Sequence, residues 1–325
     1  MAYELAIEAS GLRKSYGDVQ VLKGVDITVP RGSVFALLGP NGSGKTTSVR
    51  ILSTLTSLDA GQARIAGFDI VKERRKVRRA ITLTGQYAAI DKNQTGEENL
   101  RMMGRLTGLS RAESQERAKQ LLARFDLTDA GGRRLATYSG GMARRLDLAA
   151  SLVGAPSVVF LDEPTTGLDP RSRLALWGVI ADLAANGLTI FLTTQYLEEA
   201  DRLADRVALL DGGTIVAEGT PTQLKERVAG QRLDLELVDR TALEDVLTLL
   251  GERVVTKDLD LLTIGVTTDG SANQVRAVLD EADPQRNRIT KFQVHSATLD
   301  DVFLALTGHP TPSPEVERVK ETVGD

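Results

Sequence analysis

Apolar and polar positions alternate along the amino-terminal segment, and each alternating run stops at a turn. Leu5 to Ala9, Val19 to Leu22 and Val25 to Val29 read as short antiparallel strands, the last closed by Pro30-Arg31-Gly32. From Ser33 to Leu38 the pattern becomes a nearly continuous apolar run, which predicts a parallel strand buried on both faces. A glycine-rich turn follows at once, then a helix with Ile51, Leu52 and Leu55 on one side. Thr95 to about Val153 reads mostly as helix, with a capping-box signature at Ser110 and Glu113 ahead of Leu121 and Leu122. A further helix is expected after Ser139, with Met142, Leu146, Ala149, Ala150 and Val153 as its apolar stripe. Val158 to Leu161 and Leu188 to Thr193 are two more buried strands, joined by a helix carrying Leu174, Trp177, Ile180 and Ala184. Trp177, the only tryptophan, is assigned to the core. Such crossovers predict a mainly parallel sheet covered by helices.

Beyond a hairpin at Asp211-Gly212-Gly213, Thr220-Pro221 starts a helix that ends by Gly230. Leu233 to Leu237 then alternates with period two. A helix capped at Thr241/Glu244 follows, then strands near Val254 and from Leu262 to Thr267, a helix capped at Ser271/Gln274, and a strand from Ile289 to Val294. The order β-α-β-β-α-β predicts a small α+β domain of the split βαβ kind, with Leu299 to Leu306 as a terminal helix. The expected division is 1–230, with a helical subdomain at about 95–153, then 231–308, and a disordered polar tail over 309–325.

Composition narrows the chemistry. Forty Lys and Arg against 44 Asp and Glu give a formal charge of -4, no basis for a nucleic-acid binder, and none is expected as a partner. The chain has no cysteine, which excludes disulfides, thiolate zinc sites and iron–sulfur clusters, and two histidines, His295 and His309, which exclude a histidine-rich metal site. No window supplies the roughly eighteen continuous apolar residues of a membrane span, and the start MAYELAIEASG lacks the pattern of a secretory signal. The protein is expected to stay in the cytoplasm, so a membrane role would need another polypeptide to cross the bilayer.

The turn after the first buried strand reads Gly39-Pro40-Asn41-Gly42-Ser43-Gly44-Lys45-Thr46, followed by Thr47. This is a complete phosphate loop between a strand and a helix. Its glycines let backbone amides converge on phosphate oxygens at a helix start, Lys45 reaches the terminal phosphates, and the Thr46 hydroxyl ligates magnesium. The second component is Val158-Val159-Phe160-Leu161-Asp162-Glu163, where two carboxylates emerge at the carboxyl end of a buried strand. Asp162 suits a magnesium-bound water, and Glu163 can take a proton from an attacking water. These two motifs leave kinases, GTPases and motor proteins all open.

A third element, Tyr138-Ser139-Gly140-Gly141-Met142, resembles the signature of the ATP-binding subunits of ATP-binding-cassette transporters. Ser139 can cap the helix while Gly140 and Gly141 leave amides uncovered for an anion. The resemblance implies that Ser139, Gly140 and Gly141 bind the γ-phosphate of ATP held by the opposite subunit. It also makes Tyr16 similar to the residue that stacks on adenine, and Gln86 to the loop glutamine that senses magnesium and the membrane partner. Gly167-Leu168-Asp169 is similar to the subunit-contact loop. The family's usual γ-phosphate histidine after Thr193-Thr194 is replaced by Gln195, which can donate a hydrogen bond but cannot become imidazolium. YSGGM, TTQYLEEADRLAD and the ending TLDDVFLALTG resemble a narrower group, the ATP-binding subunits of daunorubicin and doxorubicin resistance exporters.

The resemblance implies an α/β fold, a P-loop NTPase cassette with antiparallel amino-terminal strands and a helical subdomain. It implies ATP and Mg2+ as cofactors, with Thr46, Gln86 and Asp162 at the metal, and ATP hydrolysis with Glu163, Gln195 and Gln86 as the catalytic set. The expected assembly is a homodimer with two composite sites on the cytoplasmic face of the cell membrane. It would drive efflux of a hydrophobic drug or polyketide such as an anthracycline through a separate permease, the loop Ala88 to Glu98 carrying dimer closure to that partner. Two other readings stay open: a soluble single-cassette ATPase in translation or DNA repair, and a weakly hydrolysing regulatory subunit suggested by Gln195. The small second domain is assigned to dimer stabilisation or regulation, with His295 structural and Asp300 and Asp301 flanking the last helix.

Overall fold

A computed structural model describes residues 5–85, 90–228, 231–295 and 298–307. The chain forms two compact units, the first running to Pro221 and the second beginning at Thr222. The sequence reading had placed the division later, at Gly230, beyond the helix Pro221–Val228.

The first unit is built on a six-stranded sheet. Its spatial order is Thr214–Gly219, Arg206–Asp211, Val34–Leu38, Thr189–Thr194, Val158–Asp162 and Ile81–Thr84. All neighbours are parallel except the first pair, the hairpin turning at Gly212-Gly213. Val34–Leu38 and Thr189–Thr194 are buried at every position, which is why the first runs apolar throughout and the second carries Ile190, Phe191 and Leu192 without alternating. Phe191 sits between Phe35 and Phe160, with ring centroids 5.3 and 5.5 Å away, and locks three adjacent strands in register. Those three strands carry the phosphate loop, Gln195 and Asp162 at their carboxyl ends.

A second sheet, Val19–Pro30, Leu5–Tyr16, Ala60–Ile65 and Phe68–Asp69 in that order, is antiparallel throughout. It shares one core with the larger sheet, in which Ile7, Leu22 and Val25 join Phe35, Leu37 and Phe160. The expected set of short amino-terminal strands is corrected to two long ones of 12 residues each. The interruptions are bulges, with register shifts between Ala9 and Leu12 and between Lys14 and Ser15. Gly11, at φ 61, occupies the first of them, and its amide donates to Asp26 Oδ1 at 2.6 Å. Ala60–Ile65 escaped the sequence reading because only Ala63 and Ile65 turn inward.

The helical segment consists of Gly96–Leu106, Arg111–Arg124 and Gly140–Ser151, with short 3-10 turns between the last two. Reciprocal capping boxes start the first two, at Thr95/Glu98 and Ser110/Glu113. Trp177, in the crossover helix Pro170–Ala185, is 1% exposed and belongs to the core as expected.

In the second unit four antiparallel strands lie in the order Val254–Asp258, Thr263–Thr268, Gln231–Leu237 and Ile289–His295. The helices Arg240–Leu250 and Ala272–Ala282 enclose a core with Leu233, Leu235, Val246 and Val266. This is the β-α-β-β-α-β order read from the sequence. One cap is corrected: the Asp239 carboxylate, not Thr241, accepts from the Ala242 amide at 2.8 Å, so Thr241 and Glu244 fall inside the helix. The helix Leu299–Thr307 is started by Thr298, whose amide donates to Asp301 Oδ2 at 2.8 Å while the Asp301 amide donates back to Thr298 Oγ1 at 3.2 Å. The expected tail lies outside the described residues.

Candidate active site

The phosphate loop closes on itself through its lysine. Lys45 Nζ donates to Gly39 O at 2.7 Å and Pro40 O at 3.0 Å, and the residue is 5% exposed. Burial pushes the ammonium's pKa down, while the charges of Glu163 and Asp162 push it up. Gly39 has no room for a side chain: a Cβ there would strike Leu210 O, and Ser43 Oγ at 2.7 Å. Gly44, at φ 111, lies against Leu22, with Val21 O 3.2 Å from where a Cβ would stand. Thr47 follows at the start of the helix Lys45–Leu52, and Asn41 and Gly42 form the exposed lip of the loop.

This cradle fits a polyphosphate. Ser43 Oγ is buried without a hydrogen-bond partner, and the lysine ammonium has three donors of which the loop's own carbonyls take two. The Thr46 hydroxyl faces Asp162 Oδ1 at 3.4 Å. That pair of oxygen donors suits a hard cation that keeps most of its shell from phosphate and water. Among the described residues no cluster of three or more His, Cys, Asp or Glu could hold a metal by itself.

Asp162 ends its strand paired with Thr193. Thr193 Oγ1 donates to Asp162 Oδ1 at 2.5 Å, orienting the carboxylate towards Thr46. Sequence reasoning missed this residue, because only the strand register shows which hydroxyl faces which acid. Glu163 leaves the sheet at φ 48, the left-handed region that non-glycine residues seldom adopt. Its amide donates to Thr193 O at 3.0 Å, and Thr166 Oγ1 donates to Glu163 Oε2 at 3.3 Å. Leu38 pairs with Thr194, so Gln195, half-buried just past that strand, stands between the phosphate loop and the acidic pair.

Tyr16 is 49% exposed, with Lys14 Nζ 5.5 Å from its ring centroid. It closes a hairpin whose second strand runs past the phosphate loop at Val21 and Leu22. Ser139 caps the helix Gly140–Ser151 by accepting from the Met142 amide at 3.2 Å. Gly140 faces open space, whereas a Cβ on Gly141 would lie 2.7 Å from Ser172 Cβ. This helix packs chiefly against Pro170–Ala185, Gly96–Leu106 and Ile81–Thr84. The fold therefore gathers Lys45, Thr46, Asp162, Glu163 and Gln195 at the carboxyl ends of three central strands, while Ser139 to Gly141 form a separate helix start. Asp169 caps Pro170–Ala185 by accepting from the Ser172 amide at 2.9 Å. Gln86 lies outside the described residues.

The family model described as ABC transporter matches residues 22–166, and that described as ATP-binding protein DrrA1-3-like, C-terminal domain, matches 219–307. The daunorubicin/doxorubicin resistance ATP-binding protein DrrA of Streptomyces peucetius is 46% identical over 97% of this chain and 96% of its own length. This chain belongs to the ABC transporter ATP-binding family. The doxorubicin resistance ATP-binding protein DrrA of Mycobacterium tuberculosis is 47% identical over 95% of this chain and 96% of its own length. A solved ATP-binding subunit of an ABC transporter superposes with a TM-score of 0.61 at 30% identity, covering 68% of this chain and 92% of that one. The chain is thus the ATP-hydrolysing subunit of an ABC transporter, closely related to the DrrA group. Family membership implies use of ATP with Mg2+ and dimeric assembly with a membrane permease. Among the described residues no helix is long and apolar enough to cross a membrane.

Proposed function

We propose that this chain hydrolyses ATP at two composite sites of a homodimer, on the cytoplasmic face of the membrane, and so drives efflux of an anthracycline-like drug through a separate permease. The observation that carries the site assignment is the convergence of Lys45, Thr46, Asp162, Glu163 and Gln195 at the carboxyl ends of three central strands, while Ser139 caps a different helix. A site so divided suits completion by a second copy. The near full-length similarity to DrrA, second unit included, supports the drug as cargo.

In this reading Tyr16 offers its exposed ring to adenine. The amides and side chains of Gly39 to Thr47 hold the phosphates, and Lys45 balances their charge. Thr46, Gln86 and Asp162 hold Mg2+, which when bound neutralises charge on the β- and γ-phosphates. Glu163 accepts a proton from the attacking water, and Gln195 donates to the γ-phosphate. Ser139, Gly140 and Gly141 of the partner subunit close over the same phosphate. The second unit acts in dimer stabilisation or regulation.

Glu163→Gln tests the central assignment. The amide keeps the shape and the contact with Thr166 but accepts no proton, so turnover falls by about 10²–10⁴-fold. ATP still binds, and a closed dimer accumulates on size-exclusion chromatography. Wild-type phosphate release in this variant would refute Glu163 as the base, and tight ATP binding without dimers would refute the shared site.

A further inference from the structure

The helix that Ser139 starts carries a buried arginine in none of the motifs read from the sequence. Arg144 Nε donates to Pro164 O at 2.8 Å, and its Nη1 donates to Gly85 O at 2.7 Å and to Asp147 Oδ2 at 3.4 Å. Its side chain is 13% exposed. Burial pushes the guanidinium's pKa down, and Asp147, Glu199 and Asp162 push it up. Pro164 directly follows Glu163, and Gly85 directly precedes Gln86. One guanidinium therefore joins the signature helix to the backbone beside each of two residues assigned to hydrolysis.

Glu163 is where such a hold matters. Its left-handed backbone is unfavourable for any residue that carries a Cβ, and persists only where the surroundings over-determine it. Thr193 O fixes the Glu163 amide on one side, and Arg144 fixes the Pro164 carbonyl on the other. A planar fork with donors in divergent directions reaches two carbonyls at once, whereas a lysine ammonium on a flexible stem would not hold both in this geometry.

We propose that Arg144 is a positioning residue for ATP hydrolysis, clamping the Pro164 carbonyl, next to Glu163, to the signature helix so that movement of that helix aligns the base. The inference rests on the assignment of Glu163 given above. It also makes Arg144 the internal link between the half of the site a subunit offers its partner and the half it keeps.

Arg144→Lys and Arg144→Met, made in the full-length chain, test this. Phosphate release against MgATP concentration, equilibrium ATP binding and thermal unfolding are measured together, with hydrogen exchange of the amides of Glu163 and of Thr165 to Leu168. The expected result is a fall in kcat of about tenfold for Arg144→Lys and up to about a hundredfold for Arg144→Met, as for a misplaced catalytic group. KM and ATP affinity stay within about twofold, since the phosphate loop is untouched, and the amides of Glu163 and of Thr165 to Leu168 exchange faster. Unchanged kcat in both variants would overturn the proposal. So would a loss of kcat that only tracks the folded fraction or the ATP affinity, which would make Arg144 a stability residue. If Arg144→Met does not fold, Arg144→Lys decides alone by the same criteria. Failure of the Glu163 assignment is distinguishable, because it shows as wild-type turnover in Glu163→Gln whatever Arg144 does.

Discussion

A single methyl group added at Gly140 separates the stability of the signature helix from its proposed work on the partner's nucleotide. Gly140 is the first residue of its helix, its φ is not positive, and a Cβ there meets no atom within 4 Å. Gly140→Ala therefore introduces no clash within the chain. Restricting the unfolded chain stabilises the fold by about 0.4–1 kcal/mol. At roughly 2–4 °C per kcal/mol for a unit of this size, the melting temperature holds or rises slightly. Turnover should move the other way. The same Cβ stands where the helix-start amides are proposed to meet a γ-phosphate, and a hydrogen bond to a charged group contributes about 1.5–3 kcal/mol. Losing one bond realised in the transition state slows phosphate release by about ten- to 150-fold. The assay pairs thermal unfolding with phosphate release at saturating MgATP. Wild-type turnover from a fully folded Gly140→Ala protein would refute the role given to these amides. Gly141→Ala is the internal contrast: its Cβ would press on Ser172, so it should lower the melting temperature whatever it does to turnover.

Gln195→Ala should cost about 1 kcal/mol or more of transition-state stabilisation by removing a positioned donor, while Gln195→His retains measurable turnover. Equal phosphate-release rates for wild type and Gln195→Ala would exclude Gln195 from the rate-limiting step. Glu199, fully buried, accepts from Trp177 Nε1 at 2.9 Å, and burial pushes its carboxyl pKa up against the hydrogen bonds of Thr194, Trp177 and Thr165 and the charge of Arg173. An acid raised in the folded state adds stability below its ordinary pKa and loses it as pH rises through the raised value. Glu199→Gln, which keeps an acceptor for Trp177, should remove that decline, and parallel melting-temperature curves for the two proteins between pH 4 and 9 would refute this account.

What the sequence makes legible follows from which constraints are local. The phosphate loop could be read because polyphosphate binding demands glycine, lysine and hydroxyl at fixed spacing, between a strand and a helix whose periods are themselves readable. Val34–Leu38, Val158–Asp162 and Thr189–Thr194 were legible for a related reason, since burial on both faces gives each a run of at least three consecutive apolar residues in place of an alternating pattern. Local signals failed where an element's support comes from elsewhere. Ile81–Thr84 is four residues long and is held in the sheet by pairing with Val158–Asp162. The bulges in Leu5–Tyr16 broke the alternation and made one strand look like several. At Asp239 the error was one of offset, because two polar residues two positions apart, Asp239 and Thr241, could each have started the helix and only the amide geometry chooses.

Thr193 and Arg144 expose a different boundary. Neither touches the proposed nucleotide; each acts on a group that the chain reaches only by folding. Thr193 faces Asp162 across 31 positions of sequence, and Arg144 reaches Gly85 across 59. A residue that binds phosphate must be of a particular type wherever the fold occurs, so its type reveals its work. A residue that satisfies a distant carbonyl could in principle be any donor of the right reach, and its type reveals nothing until the carbonyl is located. The half of the site that contacts nucleotide is therefore written in motifs, while the half that holds those contacts in place is written in register and burial. In the proposed dimer, coupling between subunits would depend on the second half, because a helix start can report its position to Glu163 only through atoms that connect them. In this chain the connection we propose runs through the hydrogen bond of Arg144 to the carbonyl of Pro164, the residue that follows Glu163.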